Sequence, residues 1–115
     1  MTTALVAVQP SEQVPVARVT GEIDVANAAD VAAQLSAAVS NAAHGLVVDL
    51  AGVEYVDSAG LRGLLDLAVR MRRRGQRLAA VAPEGSPVRR VLELIELGRV
   101  AELCGSVGDA RARMA

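Results

Sequence analysis

The sequence lacks lysine altogether and is poor in the other side chains that carry covalent chemistry. All 12 of its basic residues are arginine, and it has a single histidine, His44, and a single cysteine, Cys104. Without lysine there is no lysine of a phosphate-binding loop and no Schiff base. One histidine and one cysteine cannot build a usual zinc site. This composition favours a binding domain over an enzyme, and neither a metal nor a cofactor is expected.

Aromatic residues and an excess of either charge are also scarce. Phe and Trp are absent, Tyr55 is the single aromatic residue, and the net charge is -1 over 115 residues. Nucleic acid is therefore not expected as a direct partner, since no basic footprint or stacking surface is evident. The lone cysteine, the missing basic leader and the missing long apolar run predict a cytoplasmic chain without membrane contact. The arginines from Arg70 to Arg77 are interpreted as solvated charges at a helix end.

Apolar residues recur in patterns that predict strands alternating with helices in one domain over residues 1–115. Strands are expected at Ala4–Val8, Val16–Thr20, Leu46–Leu50, Leu78–Ala82 and, as a short final strand, Val100–Leu103. Four helices are expected, beginning near Asn27 (as N-cap), Asp57-Ser58, Ser86-Pro87 and Ser106. This order predicts an α/β fold, a mixed sheet of four to five strands with a parallel core and right-handed crossovers.

Two acidic residues follow strands at the predicted carboxyl edge of the sheet. Asp24 follows the second strand, and Asp57 follows the Leu46–Leu50 strand region with Ser58 directly after it. In such sheets, ligands and partners meet the loops at the carboxyl ends of the strands. If the two strands are neighbours, the Ser58 hydroxyl lies at a helix N-terminus beside two carboxylates.

Ser58 has two interpretations, a helix N-cap and a modified or nucleophilic hydroxyl. Asp and Ser are preferred at N-caps, so capping alone explains the pair. Distance argues against a Ser-His-Asp hydrolase, because His44 lies at the opposite end of the strand leading to Ser58, about 20 Å away at ~3.3 Å per residue. The local sequence also differs from the G-x-S-x-G elbow. Ser58 is therefore not expected to be a catalytic nucleophile.

Four segments resemble the STAS domain of bacterial anti-sigma factor antagonists. They are Gly21-Glu22-Ile23-Asp24, Val47–Leu50, Tyr55–Leu61 and Ser86–Leu94, and they occur in the order of that family. The resemblance as a whole covers nearly the whole chain. The Asp-Ser-x-Gly-Leu element after an apolar strand is the most specific part. The resemblance implies the STAS fold and a partner-switching role. In this role an anti-sigma factor that is also a serine kinase holds a sigma factor inactive, and the unphosphorylated antagonist binds that kinase and frees the sigma factor.

The resemblance also implies which residues carry the role. The kinase, which supplies ATP and magnesium, would phosphorylate Ser58, and a serine phosphatase would restore binding. The implied partner-binding residues are Asp24, Asp57, Ser58, Ala59, Gly60, Leu61 and Arg62. Arg62 departs from the many members with a small residue there, and three roles are open to it: partner contact, phosphate pairing or an ordinary solvated side chain. Ala59 stands where a hydroxyl residue is common, which leaves Ser58 as the only acceptor in the motif.

Two other functions stay open on the sequence. The chain could be a STAS accessory subunit of a transporter ATPase complex that no kinase controls. It could also be a small nucleotide-binding or nucleotide-hydrolysing protein, although the sequence has no glycine-rich phosphate loop and no lysine.

Overall fold

The computed structural model describes residues 3–114, and its centre is a five-stranded sheet in the order β1-β2-β3-β4-β5. The strands are β1 (Ala4–Gln9), β2 (Val16–Ile23), β3 (Gly45–Val56), β4 (Arg77–Val81) and β5 (Glu102–Cys104). The helices are α1 (Ala28–Ala38), α2 (Ser58–Arg73), α3 (Pro87–Leu94) and α4 (Val107–Met114), with a 3-10 turn at Leu97–Arg99. β1 pairs antiparallel with β2, and every other neighbouring pair is parallel. The predicted mixed sheet with a parallel core is confirmed.

The sheet separates two apolar clusters, because successive residues of a strand point to opposite faces. Leu46, Val48 and Leu50 of β3 face the larger cluster, to which α1, α2 and α3 contribute. Val47 faces the smaller cluster, which α4 covers. A strand buried on both faces has a nearly continuous apolar sequence, so β3 lacks the alternation of apolar and polar residues that is typical of a half-buried strand.

β2 and β3 extend furthest beyond their predicted ends. The predicted end at Leu50 is wrong, since β3 runs without interruption from Gly45 to Val56. β2 likewise continues past Thr20 to Ile23, with register shifts that let it follow β3 along its whole length. Gly21 allows one of these irregularities, because its φ of 98° favours glycine. The longer strands end together, next to Asp24 and Asp57.

The helix ends agree more closely with the sequence predictions than the strand ends do. The hydroxyl of Ser86 accepts the backbone N–H of Arg89 at 3.2 Å, and proline follows at the first helical position, as predicted for α3. Gly75 takes the left-handed conformation that glycine favours after a helix end, with a φ of 76° after α2. Within residues 3–114, no helix is both long enough and apolar enough to cross a membrane.

Candidate functional site

Asp57 joins the first turn of α2 to the loop that follows β2. Its Oδ1 accepts the backbone N–H groups of Ala59 at 2.9 Å and Gly60 at 3.0 Å. Its Oδ2 accepts the backbone N–H of Val25 at 3.1 Å. Its own N–H donates to the Ile23 carbonyl at 3.0 Å. Both carboxylate oxygens are engaged by backbone groups, so Asp57 caps α2 and fixes the position of the neighbouring loop.

Ser58 is the first residue of α2 and not its cap, which corrects the capping interpretation of its hydroxyl. The side chain is exposed, and no hydrogen bond found among residues 3–114 uses the hydroxyl. His44 directly precedes β3 and Ser58 lies just beyond its other end, so the length of a 12-residue strand separates the imidazole from the hydroxyl, far beyond hydrogen-bond reach. The hydroxyl is thus held on a fixed backbone, plays no part in the fold and is open to an external enzyme.

A second set of hydrogen bonds holds the loop that contains Asp24. The Asn27 Oδ1 accepts the Asp24 backbone N–H at 3.0 Å, and the Asn27 Nδ2 donates to the Glu22 carbonyl at 2.9 Å. The Asp24 Oδ1 accepts the N–H of Ala26 at 2.9 Å. Asn27 precedes α1 at the predicted N-cap position, but its side chain does not cap that helix. The capping prediction is wrong because these loop contacts occupy the amide.

The adjacency of the two acidic loops is confirmed. β2 and β3 are neighbours in parallel register, with Ile23 opposite Val56. Asp24 and Asp57 follow these two residues directly, and the bond between Val25 and Asp57 links the loops. The structure therefore brings together the predicted carboxylates and the start of α2.

Gly60 lets the first turn of α2 lie directly on the ends of the two strands. A Cβ built on Gly60 would lie 2.7 Å from Cγ2 of Val56 and 2.8 Å from Cγ2 of Ile23. Carbon atoms in close-packed interiors do not approach so closely, so the position requires glycine for space. We infer that Gly60 determines how closely the first turn of α2, and with it Ser58, approaches the sheet.

Few side chains around Ser58 face outward. Arg62 is exposed one helical turn further along α2. Val25 is 80% exposed, and its backbone is bonded to the α2 cap. Ala59 and Leu61, by contrast, are half-buried against the larger core cluster. Val25 is not among the site residues predicted from the sequence, where its one signal is an apolar residue inside a polar turn.

Cys104 lies away from this site, at the end of β5 in the smaller core cluster. Cys104 is 1% exposed and therefore buried. Burial raises the pKa of its thiol, an effect that Arg113 partly opposes. The thiol is therefore protonated near neutral pH. Within residues 3–114, no three or more His, Cys, Asp or Glu side chains are grouped to hold a metal ion.

Comparison with known proteins identifies relatives of this fold. An anti-sigma factor antagonist from Mycobacterium paratuberculosis is 27% identical, with a TM-score of 0.84 over 97% of this chain and 94% of the other. The anti-sigma factor antagonist SpoIIAA in its unphosphorylated form is 20% identical, with a TM-score of 0.75 over 95% of each chain. The Bacillus cell fate determinant SpoIIAA in its phosphorylated form is 19% identical, with a TM-score of 0.71 over 96% of this chain and 100% of the other.

A family model supplies the assignment at the level of sequence. The model described as "Mlab, STAS domain" matches residues 6–105. This match includes most of β1, the whole of the other four strands, the Asp24 loop and the Asp57–Arg62 turn. Together with the shared fold, it confirms the resemblance found in the sequence. The chain belongs to the STAS domain family.

Proposed function

We propose that this chain is an anti-sigma factor antagonist that works by partner switching in the cytoplasm. Unphosphorylated, it binds an anti-sigma factor that is also a serine kinase, so that the sigma factor is released. Phosphorylation of Ser58 by that kinase ends the binding, and a serine phosphatase restores it. The structural neighbours named as anti-sigma factor antagonists support the role, and SpoIIAA has been described in unphosphorylated and phosphorylated forms.

The observation that carries the proposal is the free hydroxyl of Ser58 on the first residue of α2. In the reaction, the serine oxygen forms a bond to the γ-phosphorus of the kinase's ATP, and the bond to ADP breaks. The serine proton passes to a base of the kinase. No group of the antagonist has to act, which is consistent with an Asp57 carboxylate already engaged by three backbone N–H groups.

A phosphate at this position would change the contact surface without disturbing the fold. It adds about 1.5 to 2 negative charges at neutral pH. The backbone N–H groups of Ala59 and Gly60 already donate to Asp57, so they cannot neutralise the phosphate without breaking the cap. Asp24 and Asp57 add their own negative charge nearby. The block at the interface is therefore steric and electrostatic.

The proposed binding site has two kinds of residue. Its predicted members are Asp24, Asp57, Ser58, Ala59, Gly60, Leu61 and Arg62. Ser58 and Arg62 are the exposed members, and Val25 joins them as an outward-facing apolar side chain. The half-buried members hold the turn in place. We expect the kinase to contact mainly the exposed three.

Intact mass provides the first test. The protein is incubated with ATP and candidate anti-sigma factor kinases, alongside Ser58→Ala and the control Ser40→Ala, which removes another exposed serine hydroxyl. One added phosphate on the wild type and on Ser40→Ala, with none on Ser58→Ala, is the expected result. A phosphate that persists in Ser58→Ala contradicts the assigned acceptor.

Binding is the second test and separates the proposal from the transporter alternative. Unphosphorylated protein should bind the kinase that modifies it, and the Ser58-phosphorylated form should bind much more weakly. Equal binding of the two forms refutes the switch. If no candidate kinase modifies the chain and it co-purifies with a transporter ATPase, the accessory-subunit function replaces this proposal. Nucleotide hydrolysis by the protein alone would favour the third alternative.

A further inference from the structure

Four exposed residues form a row along α2 at intervals of four. They are Ser58, Arg62, Asp66 and Arg70. Residues four apart on a helix are neighbours on its surface, with about 5–6 Å between their Cβ atoms. The row alternates cation, anion and cation from Arg62 onward, and the position that would continue this alternation at its N-terminal end is Ser58.

Arg62 has no acid in the preferred position. An ion pair within a helix is more stable when the acid precedes the base by four residues than when it follows it. Asp66 stands in that favourable order toward Arg70 and in the unfavourable order toward Arg62. Consistently, none of the ion pairs within residues 3–114 involves Arg62 or Asp66. The residue that precedes Arg62 by four is the proposed phosphate acceptor.

We propose that Arg62 binds the phosphate of phosphorylated Ser58 in an ion pair within α2, and so completes the alternating row of charges. This inference rests on the proposed function, because it concerns the phosphorylated form. The guanidinium group of arginine can donate two parallel hydrogen bonds to phosphate oxygens. The phosphate also carries more negative charge than Asp66, which makes it the stronger competitor for Arg62.

Arg62 is the cation that follows Ser58 by four residues on α2. The carboxylates of Asp57 and Asp24, in the two adjoining loops, repel a phosphate. The two N–H groups of the first turn that point toward the cap are bonded to Asp57. Within residues 3–114, the next cation of the row is Arg70, about 18 Å along the helix from Ser58 at ~1.5 Å per residue.

The pairing gives phosphorylation a second effect on the partner. In the unphosphorylated form, Arg62 offers a free positive charge beside Ser58, which suits an acidic group on the kinase. In the phosphorylated form, the local charge of the two residues changes from +1 to about -0.5 to -1. Arg62 is also withdrawn toward the phosphate. The partner then loses an attractive contact and meets a repulsive one at the same place.

The pairing is tested by the titration of the phosphate. Phosphoserine is incorporated at position 58 during protein synthesis, so the test does not need the kinase. The second pKa of the phosphate is measured by phosphorus NMR in the wild-type background, in Arg62→Gln and in the matched control Arg70→Gln, which removes the same charge further along α2. We expect this pKa to be about 0.2 to 0.4 lower with Arg62 present than in Arg62→Gln. Arg70→Gln should match the wild type.

The salt dependence of the phosphate pKa is a second test of the contact between Arg62 and the phosphate. The difference between wild type and Arg62→Gln should shrink at 1 M salt, where the screening length falls to about 3 Å. Equal pKa values in the two proteins overturn the inference, as does an equal change in Arg70→Gln, which would indicate net charge alone. Failure of the kinase to modify Ser58 would refute the proposed function, but the titration would still show whether Arg62 pairs with a phosphate there.

Discussion

Two glycines of α2 lie one turn apart and should respond to alanine in opposite directions. Gly60 faces the strand ends, where a Cβ would lie 2.7 Å from Cγ2 of Val56 and 2.8 Å from Cγ2 of Ile23. At Gly63 a Cβ would meet only the Cβ of Ala32, at 3.5 Å, which is an ordinary contact. The substitution is chemically identical at both sites, so the comparison isolates the space available under the helix.

The expected magnitudes follow from two opposing contributions. Alanine is favoured over glycine inside a helix by up to about 1 kcal/mol. Gly63→Ala should therefore raise the free energy of unfolding by about 0.5 to 1 kcal/mol. At Gly60 the obstructing atoms are γ-methyl groups of β-branched side chains, which have little freedom to rotate away. Overpacking of this kind costs about 1 to 3 kcal/mol, so Gly60→Ala should be destabilised by up to about 2.5 kcal/mol after the helix gain.

Urea unfolding followed by circular dichroism measures both variants against the wild type. The midpoint of Gly60→Ala should fall and that of Gly63→Ala should rise, with unchanged slopes. If Gly60→Ala is as stable as Gly63→Ala, the first turn of α2 is not tightly seated on β2 and β3. A loss of stability in both variants would show that the stabilisation of the helix expected from alanine in place of glycine is overestimated.

Substitutions at three further positions test other contacts of the fold. Asp57→Ala should lower the free energy of unfolding by about 1 to 2 kcal/mol through loss of the α2 cap, and Asp57→Ser should recover part of it in the same urea titration. The Gln76 Nε2 donates to the carbonyls of Ser40 at 2.8 Å and Ala43 at 3.0 Å. Gln76→Leu removes both hydrogen bonds and should therefore lower the free energy of unfolding by about 1 to 3 kcal/mol. Unchanged stability would mean that water replaces the amide. The raised thiol pKa of Cys104 means that the unfolded chain releases this proton first. Stability should therefore fall as pH rises above about 8.5, by at most ~1.4 kcal/mol per pH unit, and less steeply in Cys104→Ala.

The parts of the fold that the sequence predicted depend on short-range patterns. The apolar run at Leu46–Leu50 indicated a strand buried on both faces, and the structure buries it against both core clusters. The Ser86-Pro87 pair marked the start of α3 because the cap and the proline act within one turn. The start of α3 needs no distant residue, whereas the strand is indicated by its own apolar run but forms only by pairing with β2 and β4.

The missed features depend on residues that are distant in sequence or on competing contacts. The strand predicted at Leu46–Leu50 ends before Gly52, because a glycine between apolar residues resembles a turn, and only the pairing of Gly52 with Thr20 of β2 shows a continuous strand. Asn27 has the spacing of a cap, but its amide is bonded to the loop before it. The space requirement at Gly60 comes partly from Val56 and partly from Ile23, which lies 37 positions earlier in the chain.

The candidate site separates residues that hold the turn from residues that face outward, and this separation determines how loss of binding should be interpreted. Asp57 and Gly60 are engaged in the cap and in packing, so a variant at either position can lose binding merely because α2 has moved or unfolded. Ser58 and Arg62 are exposed and make no hydrogen bond or ion pair with another side chain among residues 3–114. Their substitution should change stability by no more than about 0.5 kcal/mol. A kinase-binding defect in Ser58→Ala or Arg62→Gln, at unchanged stability, therefore identifies the contact surface directly.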